Sequence, residues 1–273
     1  MQTVATLIKD APLDRVDTRV LLQYVLRVDH AWLIAHADEP VNAQQAADFL
    51  ALVARRIKGE PVAYLTGERE FYGLTLRVTP DVLIPRPDSE LLVDLALDRM
   101  PPAQPIRIVD LGTGSGAIAI AIAKARPFAH IYATDESAAA LAVAQTNAKH
   151  QQVTIHFSQG HWFADMPRHF FDLIVSNPPY IKHGDLHLLQ GDLRFEPRSA
   201  LTDESVDGLD DIRYIVRHAA RYLTRPGTLL LEHGYDQAQA CCVLLQAHQF
   251  KDVQSFADLA GIARVSMGTL YPA

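Results

Sequence analysis

Ile106-Arg107-Ile108-Val109-Asp110-Leu111-Gly112-Thr113-Gly114-Ser115-Gly116, continued by Ala117-Ile118-Ala119-Ile120-Ala121-Ile122-Ala123-Lys124, is the stretch on which the fold turns. Its first six residues form a short apolar run, the pattern of a buried strand, and its last eight form a longer apolar segment that Arg126-Pro127 ends. The glycines between them let the backbone turn tightly and let a ligand approach where a Cβ would stand. Strand, glycine turn and helix make the first half of a βαβ unit. The next strand, His130-Ile131-Tyr132-Ala133-Thr134, ends at Asp135. An acid at that strand end is placed to accept hydrogen bonds from both hydroxyls of a ribose.

Downstream, the apolar run Phe171-Asp172-Leu173-Ile174-Val175-Ser176 closes on Asn177-Pro178-Pro179-Tyr180. Two prolines fix φ and withhold two backbone donors, so the chain is stiff where the strand ends. A stiff turn there can hold one side-chain amide and one carbonyl in fixed positions, a device for gripping a planar NH2 group. The motif alone reads equally as a Pro-Pro turn that ends a strand; the glycine turn upstream decides between the two. Nicotinamide dinucleotides and S-adenosylmethionine share this pocket geometry. The spacing D-x-G-x-G-x-G departs from the dinucleotide fingerprint G-x-G-x-x-G, which counts against the former.

Asp110 to Gly116 with Asp135 resembles the cofactor site of class I S-adenosylmethionine-dependent methyltransferases. Asn177-Pro178-Pro179-Tyr180 is similar to the signature of those that methylate a planar amide or an exocyclic amine. Leu83-Ile84-Pro85-Arg86-Pro87-Asp88-Ser89-Glu90, Glu196-Pro197-Arg198-Ser199-Ala200-Leu201 and Leu231-Glu232-His233-Gly234-Tyr235-Asp236-Gln237 match the HemK/PrmC family within that set. That family consists of the glutamine methyltransferases of translation release factors. The resemblance implies methyl transfer from S-adenosyl-L-methionine to the glutamine amide nitrogen of the Gly-Gly-Gln motif in class I peptide-chain release factors. It implies cofactor contacts from Gly112, Thr113, Gly114, Ser115, Gly116, Asp135, Trp162 and Asn177. Asn177, Pro178, Pro179 and Tyr180 would meet the substrate, with Asn177, Pro178 and Tyr180 catalytic. Trp162 is expected against the adenine. The family's acid just before that aromatic is replaced by His161. Arg86 and Glu90 fall in the family's interdomain segment, where an ion pair between them is one reading. Asp110 is expected to orient the glycine turn, to reach the methionine end through water, or to cap its strand.

The bulk properties are those of an ordinary globular chain. Of 273 residues 49% are hydrophobic and 21% charged, enough for a large core. No apolar run reaches the roughly 18 residues of a membrane span, and Met1-Gln2-Thr3-Val4 opens no signal sequence, so a soluble, cytoplasmic protein is expected. Cys241 and Cys242 are adjacent, poorly placed for a disulfide and too few for zinc, and the twelve histidines show no ligand spacing. No metal is expected. The net charge of −7 disfavours duplex binding, and no segment is left over for a base-reading module. A nucleic-acid adenine or cytosine amino-methyltransferase is the alternative reading.

The expected organisation is a helical substrate-recognition domain over 1–59, a β-hairpin linker over 60–87 and a catalytic domain over 88–273. In the first, Val20, Leu21, Tyr24, Val25 and Val28 set a helical stripe, and Asn42 caps a helix whose stripe is Ala46, Phe49, Leu50, Val53 and Ile57. Asp88 or Ser89 is expected to cap the helix running through Leu91, Leu92, Leu95 and Ala96. The catalytic part alternates strands and helices, a doubly wound α/β pattern. Strands are expected near 106–111, 130–134, 153–157, 171–176, 227–233, 250–256 and 263–270, a mostly parallel seven-stranded sheet with an antiparallel edge hairpin. The polar stretch from His183 to Asp207 reads as a lid or binding loop.

Overall fold

The computed structural model describes residues 2–164, 166 and 170–272. Backbone contacts divide it into two units, Met1–Glu68 with Gln190–Phe195, and Arg69–Leu189 with Glu196–Ala273.

The first unit is built from α1 (Val4–Asp10), α2 (Arg15–Leu26), α3 (His30–Ala35), α4 (Ala43–Ile57) and α5 (Val62–Thr66). Side chains start the middle three. Asp14, Asp29 and Asn42 each accept from backbone N–H groups of the following first turn, which no intrahelical partner satisfies. Leu7, Leu21, Leu22, Leu33, Phe49 and Val53 form the centre of its core. The buried face of α2 differs from the expected stripe. Thr18 is buried alongside Leu21 and Leu22, whereas Val20 and Tyr24 are exposed, as are Leu50 and Ile57 on α4. Thr18 can be buried because its hydroxyl donates to the Asp14 carbonyl at 2.7 Å, which removes the penalty of an unpaired polar group. Gln190–Phe195 packs on this unit through Asp192, which accepts from Arg56 at 2.7 Å, and through Arg194, which donates to the Lys58 carbonyl.

A hairpin follows along the chain, β1 (Glu68–Phe71) and β2 (Leu74–Arg77), whose turn residues Tyr72 and Gly73 both have positive φ. Next comes α6 (Glu90–Asp98), entered through a 3-10 turn over Pro87–Ser89. Then follow β3 (Arg107–Leu111), α7 (Ala117–Ala125), β4 (His130–Asp135), α8 (Ala138–His150), β5 (His156–Gln159) and β6 (Phe171–Ser176). The chain ends with α9 (Asp210–Ala219), β7 (Leu223–Glu232), α10 (Ala238–Ala247), β8 (Lys251–Ala257) and β9 (Ala263–Leu270). The sheet order is β5-β4-β3-β6-β7-β9-β8, with β9 antiparallel to both neighbours and the remaining pairs parallel. This is the seven-stranded, doubly wound sheet with an antiparallel edge hairpin that the strand pattern foretold. Two strands depart from their expected limits. β5 begins three residues late, and β7 begins at Leu223, ahead of Pro226, because Leu223 pairs with Phe171 across a register shift.

The order reverses direction between β3 and β6, so a crevice opens at their carboxyl ends. Register places the ends side by side: Leu111 faces Thr134 on one flank and Ser176 on the other, and Ser176 faces Leu231. The segments that follow these four residues therefore emerge together.

Candidate active site

Each element contributes the residue just past its strand end. After β3 the turn Gly112–Gly116 folds back on β4: the N–H groups of Gly112 and Thr113 both donate to the Thr134 carbonyl at 2.9 Å. Gly112, Gly114 and Gly116 all have positive φ. Gly112 carries a second constraint, since a Cβ there would stand 2.9 Å from the Trp162 ring. Asp135 accepts from Gly114 N at 2.8 Å with one carboxylate oxygen and from Ser137 N at 2.9 Å with the other. Burial raises its pKa, and those two backbone donors oppose the rise.

A cleft of about 270 Å³ opens over this turn, lined by Gly112, Gly114, Asp135, Trp162, Asn177 and Pro179 among others. Thr113, Ser115 and Gly116 sit behind it. Thr113 donates its hydroxyl to Asp110 at 2.6 Å, Ser115 offers its carbonyl to the Asn147 amide at 2.9 Å, and Gly116 opens α7. Asp110 is buried with its second oxygen unpartnered among the described residues. Burial pushes that carboxyl up to about 7, against the Thr113 hydrogen bond. A glycine cradle that a Cβ would fill and an orphaned buried oxygen behind it are features of a pocket shaped for a polar ligand. They fit a sulfonium nucleoside.

Trp162 is buried, with φ +53°, and is held at both ends: its carbonyl accepts from Thr134 at 3.1 Å and its indole N–H donates to Asp211 at 3.0 Å. Asp211, at the start of α9, lines the cleft as well; burial raises its pKa against the Trp162 bond. His161 meets Trp162 edge-on at 5.6 Å and borders the same cleft.

On the other side, Asn177 donates its amide N–H to Ser89 Oγ at 3.1 Å. Among the described residues nothing donates to its side-chain oxygen or to the Pro178 carbonyl. Pro178 is buried, and Tyr180 turns its hydroxyl away toward Glu232, at 3.5 Å. Burial drives the Tyr180 hydroxyl far above its ordinary range. The Tyr180 carbonyl is fixed by Gln237, whose side-chain nitrogen donates to it at 3.0 Å and to the Asp207 carbonyl at 2.9 Å. The Gln237 side-chain oxygen accepts from Gly234 N at 2.8 Å.

Two expectations for this region are corrected. Neither Asp88 nor Ser89 caps α6: Ser89 has helical φ and ψ and makes no cap hydrogen bond, its hydroxyl being taken by Asn177. Arg86 and Glu90 form no ion pair. Arg86 pairs instead with Glu196, which also accepts from Ile84 N at 2.9 Å, while Glu90 accepts from Tyr72 N at 3.0 Å. Tertiary partners brought in by the sheet displaced the local ones. Sequence reasoning missed the parts played by Ser89, Glu196, Asp211, Glu232 and Gln237. The quoted motifs contain four of the five, but a motif does not say which atom it meets.

The family model described as the PrmC N-terminal domain matches residues 1–67, and the one described as the methyltransferase small domain matches residues 88–192. Among solved structures, a methyltransferase of Pyrococcus furiosus has a TM-score of 0.56 at 16% identity, over 80% of this chain and 98% of that one. A Thermus thermophilus 16S rRNA methyltransferase in complex with AdoMet and guanosine also gives 0.56, at 20% identity, over 74% of this chain and 49% of that one. These two likenesses are of fold. Sequence carries the closer relation: the release factor glutamine methyltransferase of Burkholderia pseudomallei is 51% identical over 98% of this chain and 96% of its own. That of Bordetella pertussis is 49% identical over 99% and 100%. With relatives of that identity matched from end to end, the chain belongs to the release factor glutamine methyltransferase family.

Proposed function

We propose that this protein methylates the side-chain nitrogen of the Gly-Gly-Gln glutamine in class I peptide-chain release factors. The observation that carries the reading is Asn177, anchored through its N–H to Ser89 and left with a free acceptor oxygen at the cleft. S-adenosyl-L-methionine, when bound, supplies a sulfonium methyl carbon as the electrophile and leaves as S-adenosyl-L-homocysteine. Gly112, Gly114, Asp135, Trp162 and Asn177 would hold it, with Thr113, Ser115 and Gly116 shaping the turn beneath.

A glutamine amide nitrogen is a poor nucleophile because its lone pair is delocalised into the carbonyl. In this reading the Asn177 side-chain oxygen and the Pro178 carbonyl accept from its two N–H bonds. The two acceptors set the amide plane and raise electron density on nitrogen. Pro179 walls the pocket, and Tyr180 packs the turn from behind. Orientation of this kind can lower a barrier by about 7 kcal/mol or more. Tyr180 keeps its proton at any working pH, since burial raises its pKa, so it is no base. The surplus proton on nitrogen leaves to water after transfer.

The helical unit is read as the release-factor docking element. Val16, Val20 and Tyr24 lie exposed on α2 at spacings of four, an apolar ridge suited to a protein partner. The net charge of −7 supports a protein substrate over a nucleic acid. Incubation with S-adenosylmethionine and a full-length class I release factor, followed by peptide mass spectrometry, tests the proposal. The expected product is one added methyl on the Gly-Gly-Gln glutamine, absent with Asn177→Ala. Methyl transfer to DNA or RNA in place of the factor would overturn it.

A further inference from the structure

Val82, Leu83, Pro197, Ser199 and Ala200 line the cleft without belonging to the cofactor residues named above. They come from two segments, neither of them in a strand or an α-helix. Prolines keep both out of a backbone ladder: Pro80, Pro85 and Pro87 withhold their N–H groups on one segment, and Pro197 on the other. Ile84 is buried, and a buried backbone N–H needs an acceptor. Glu196 supplies it from 112 positions away. Its side chain is 0% exposed; one carboxylate oxygen accepts from Ile84 N at 2.9 Å and the other from the Arg86 guanidinium.

The bonds close a ring that ties both segments to the Asn177 turn. Asn177 donates to Ser89 Oγ at 3.1 Å, Ser89 N donates to the Arg86 carbonyl at 3.1 Å, and Arg86 pairs with Glu196. From Glu196 the chain runs through the short 3-10 turn Arg198–Ala200 to Leu201, whose carbonyl accepts from Ile181 N at 2.9 Å. Ile181 leads back through Tyr180 to Asn177. We propose that Glu196 is a positioning residue for the substrate, the link that fixes the two rim segments against which the polypeptide carrying the glutamine docks. This rests on the reading of the Asn177 turn as the substrate end of the cleft. A buried carboxylate that loses a partner is left with an uncompensated charge, so Glu196 holds both segments far more firmly than an exposed ion pair would. The cofactor residues do not depend on it. The glycine turn is bonded to Thr134, Asp135 to Gly114 and Ser137, and Trp162 to Thr134 and Asp211. Asn177 and Tyr180 keep their own anchors in Ser89 and Gln237. Loosening the rim therefore weakens the hold on the polypeptide while the nucleoside pocket and the amide clamp persist.

The test uses the full chain and a full-length class I release factor, with Kd for the factor measured by calorimetry in the presence of S-adenosylhomocysteine. Glu196→Leu loses both bonds and is expected to weaken factor binding about tenfold or more. Glu196→Gln can still accept from Ile84 N, and Arg86→Met removes only the ion pair, so each should weaken it about threefold. The Arg86→Met/Glu196→Gln double variant should bind no more weakly than either single one, since both changes remove the same pair. S-adenosylmethionine affinity should stay within about twofold throughout, and in turnover KM for the factor should rise while kcat holds within about threefold. Parallel losses of factor and cofactor affinity would trace the effect to general loosening and overturn the proposal. Where Glu196→Leu does not fold, Glu196→Gln and Arg86→Met decide: wild-type factor affinity in both overturns it. If Asn177→Ala is inactive at the same time, the amide clamp still stands and only the role of Glu196 is lost. An active Asn177→Ala would instead remove the substrate turn, and the rim's role with it.

Discussion

Gly208→Ala isolates the scaffolding of the turn Asn177-Pro178-Pro179-Tyr180, the proposed substrate turn. Gly208 has φ +69°, and a Cβ there would run into the Tyr180 carbonyl oxygen, with the carbonyl carbon at 2.8 Å and the Gln237 side-chain nitrogen at 3.1 Å. Two terms add. Holding alanine in the left-handed region costs about 1–2 kcal/mol. Relieving the collision must move backbone, since a carbonyl cannot swing aside as a flexible side chain could. That movement breaks the Gln237 bonds to Tyr180 and Asp207, about 1 kcal/mol each. The sum is about 3–4 kcal/mol, or roughly 6–16 °C in Tm for a unit of this size. Gly261 provides the control. It has φ +79° in the turn between β8 and β9, and nothing lies within 4 Å of its would-be Cβ. Gly261→Ala should show the backbone term alone, about 1–2 kcal/mol, with normal turnover. Differential scanning calorimetry and initial rates on a release factor would be compared for the two variants. If Gly208→Ala loses no more Tm than Gly261→Ala and turns over normally, the turn is not braced from behind and the reasoning fails.

Three other perturbations follow from the same geometry. In Gly112→Ala the new Cβ meets the Trp162 ring at 2.9 Å with φ +71°, so S-adenosylmethionine affinity measured by calorimetry should fall about tenfold or more while the protein stays folded. Asp110→Asn probes pH dependence: with the carboxyl raised from 3.8 to about 7, the folded state holds the proton more tightly than the unfolded chain. That stabilisation is complete below about pH 4 and is lost as pH rises through about 7, so the variant should gain on the wild type by on the order of 4 kcal/mol between pH 4 and 8. Urea midpoints of the ligand-free proteins measure it, and a pH-independent difference would refute the assignment. Arg56→Ala removes the donor that ties Asp17 and Asp192, at 2.6 and 2.7 Å. These pairs are partly exposed and worth about 1 kcal/mol each, so amide exchange over Gln190–Phe195 should speed up about fivefold or more.

What could be read from the sequence was local. The glycine turn, Asp135 and Asn177-Pro178-Pro179-Tyr180 each announce themselves within a few residues, and the alternation of strands and helices fixes their placement at one end of a sheet. Ser89 shows where such reading stops. Its type and position argue for a helix cap, and a local rule can offer it only a local partner, yet its partner lies 88 positions on. Glu232 and Gln237 are the same case: a buried carboxyl reaching for Tyr180, 52 positions back, and an amide bracing the Tyr180 carbonyl, 57 positions back. The face of α2 was misread for a related reason. Hydrophobicity chose Val20 and Tyr24 for the core, but Thr18 satisfied its own hydroxyl within the helix and took the buried position, leaving both outside.

The groups around the cleft also explain why a weak nucleophile is handled by geometry here. Asp135 and Asp211 both border it, but Asp135 accepts backbone N–H bonds on both oxygens and Asp211 accepts the Trp162 indole. Lone pairs engaged this way are poor proton acceptors. Tyr180 keeps its proton, and Glu232 faces the rear of the turn. Asp81 and Glu136, the other carboxylates that line the cleft, are exposed to water, and an amide N–H is one that a carboxylate could not remove in any case. A free carboxylate beside the substrate would instead attract the sulfonium charge and stabilise the ground state, which is lost as the methyl moves. In the proposed reading, neutral acceptors on a turn braced by Ser89 and Gln237 grip the two N–H bonds without that penalty. The two acceptors left free on the turn itself, the Asn177 side chain and the Pro178 carbonyl, carry no charge.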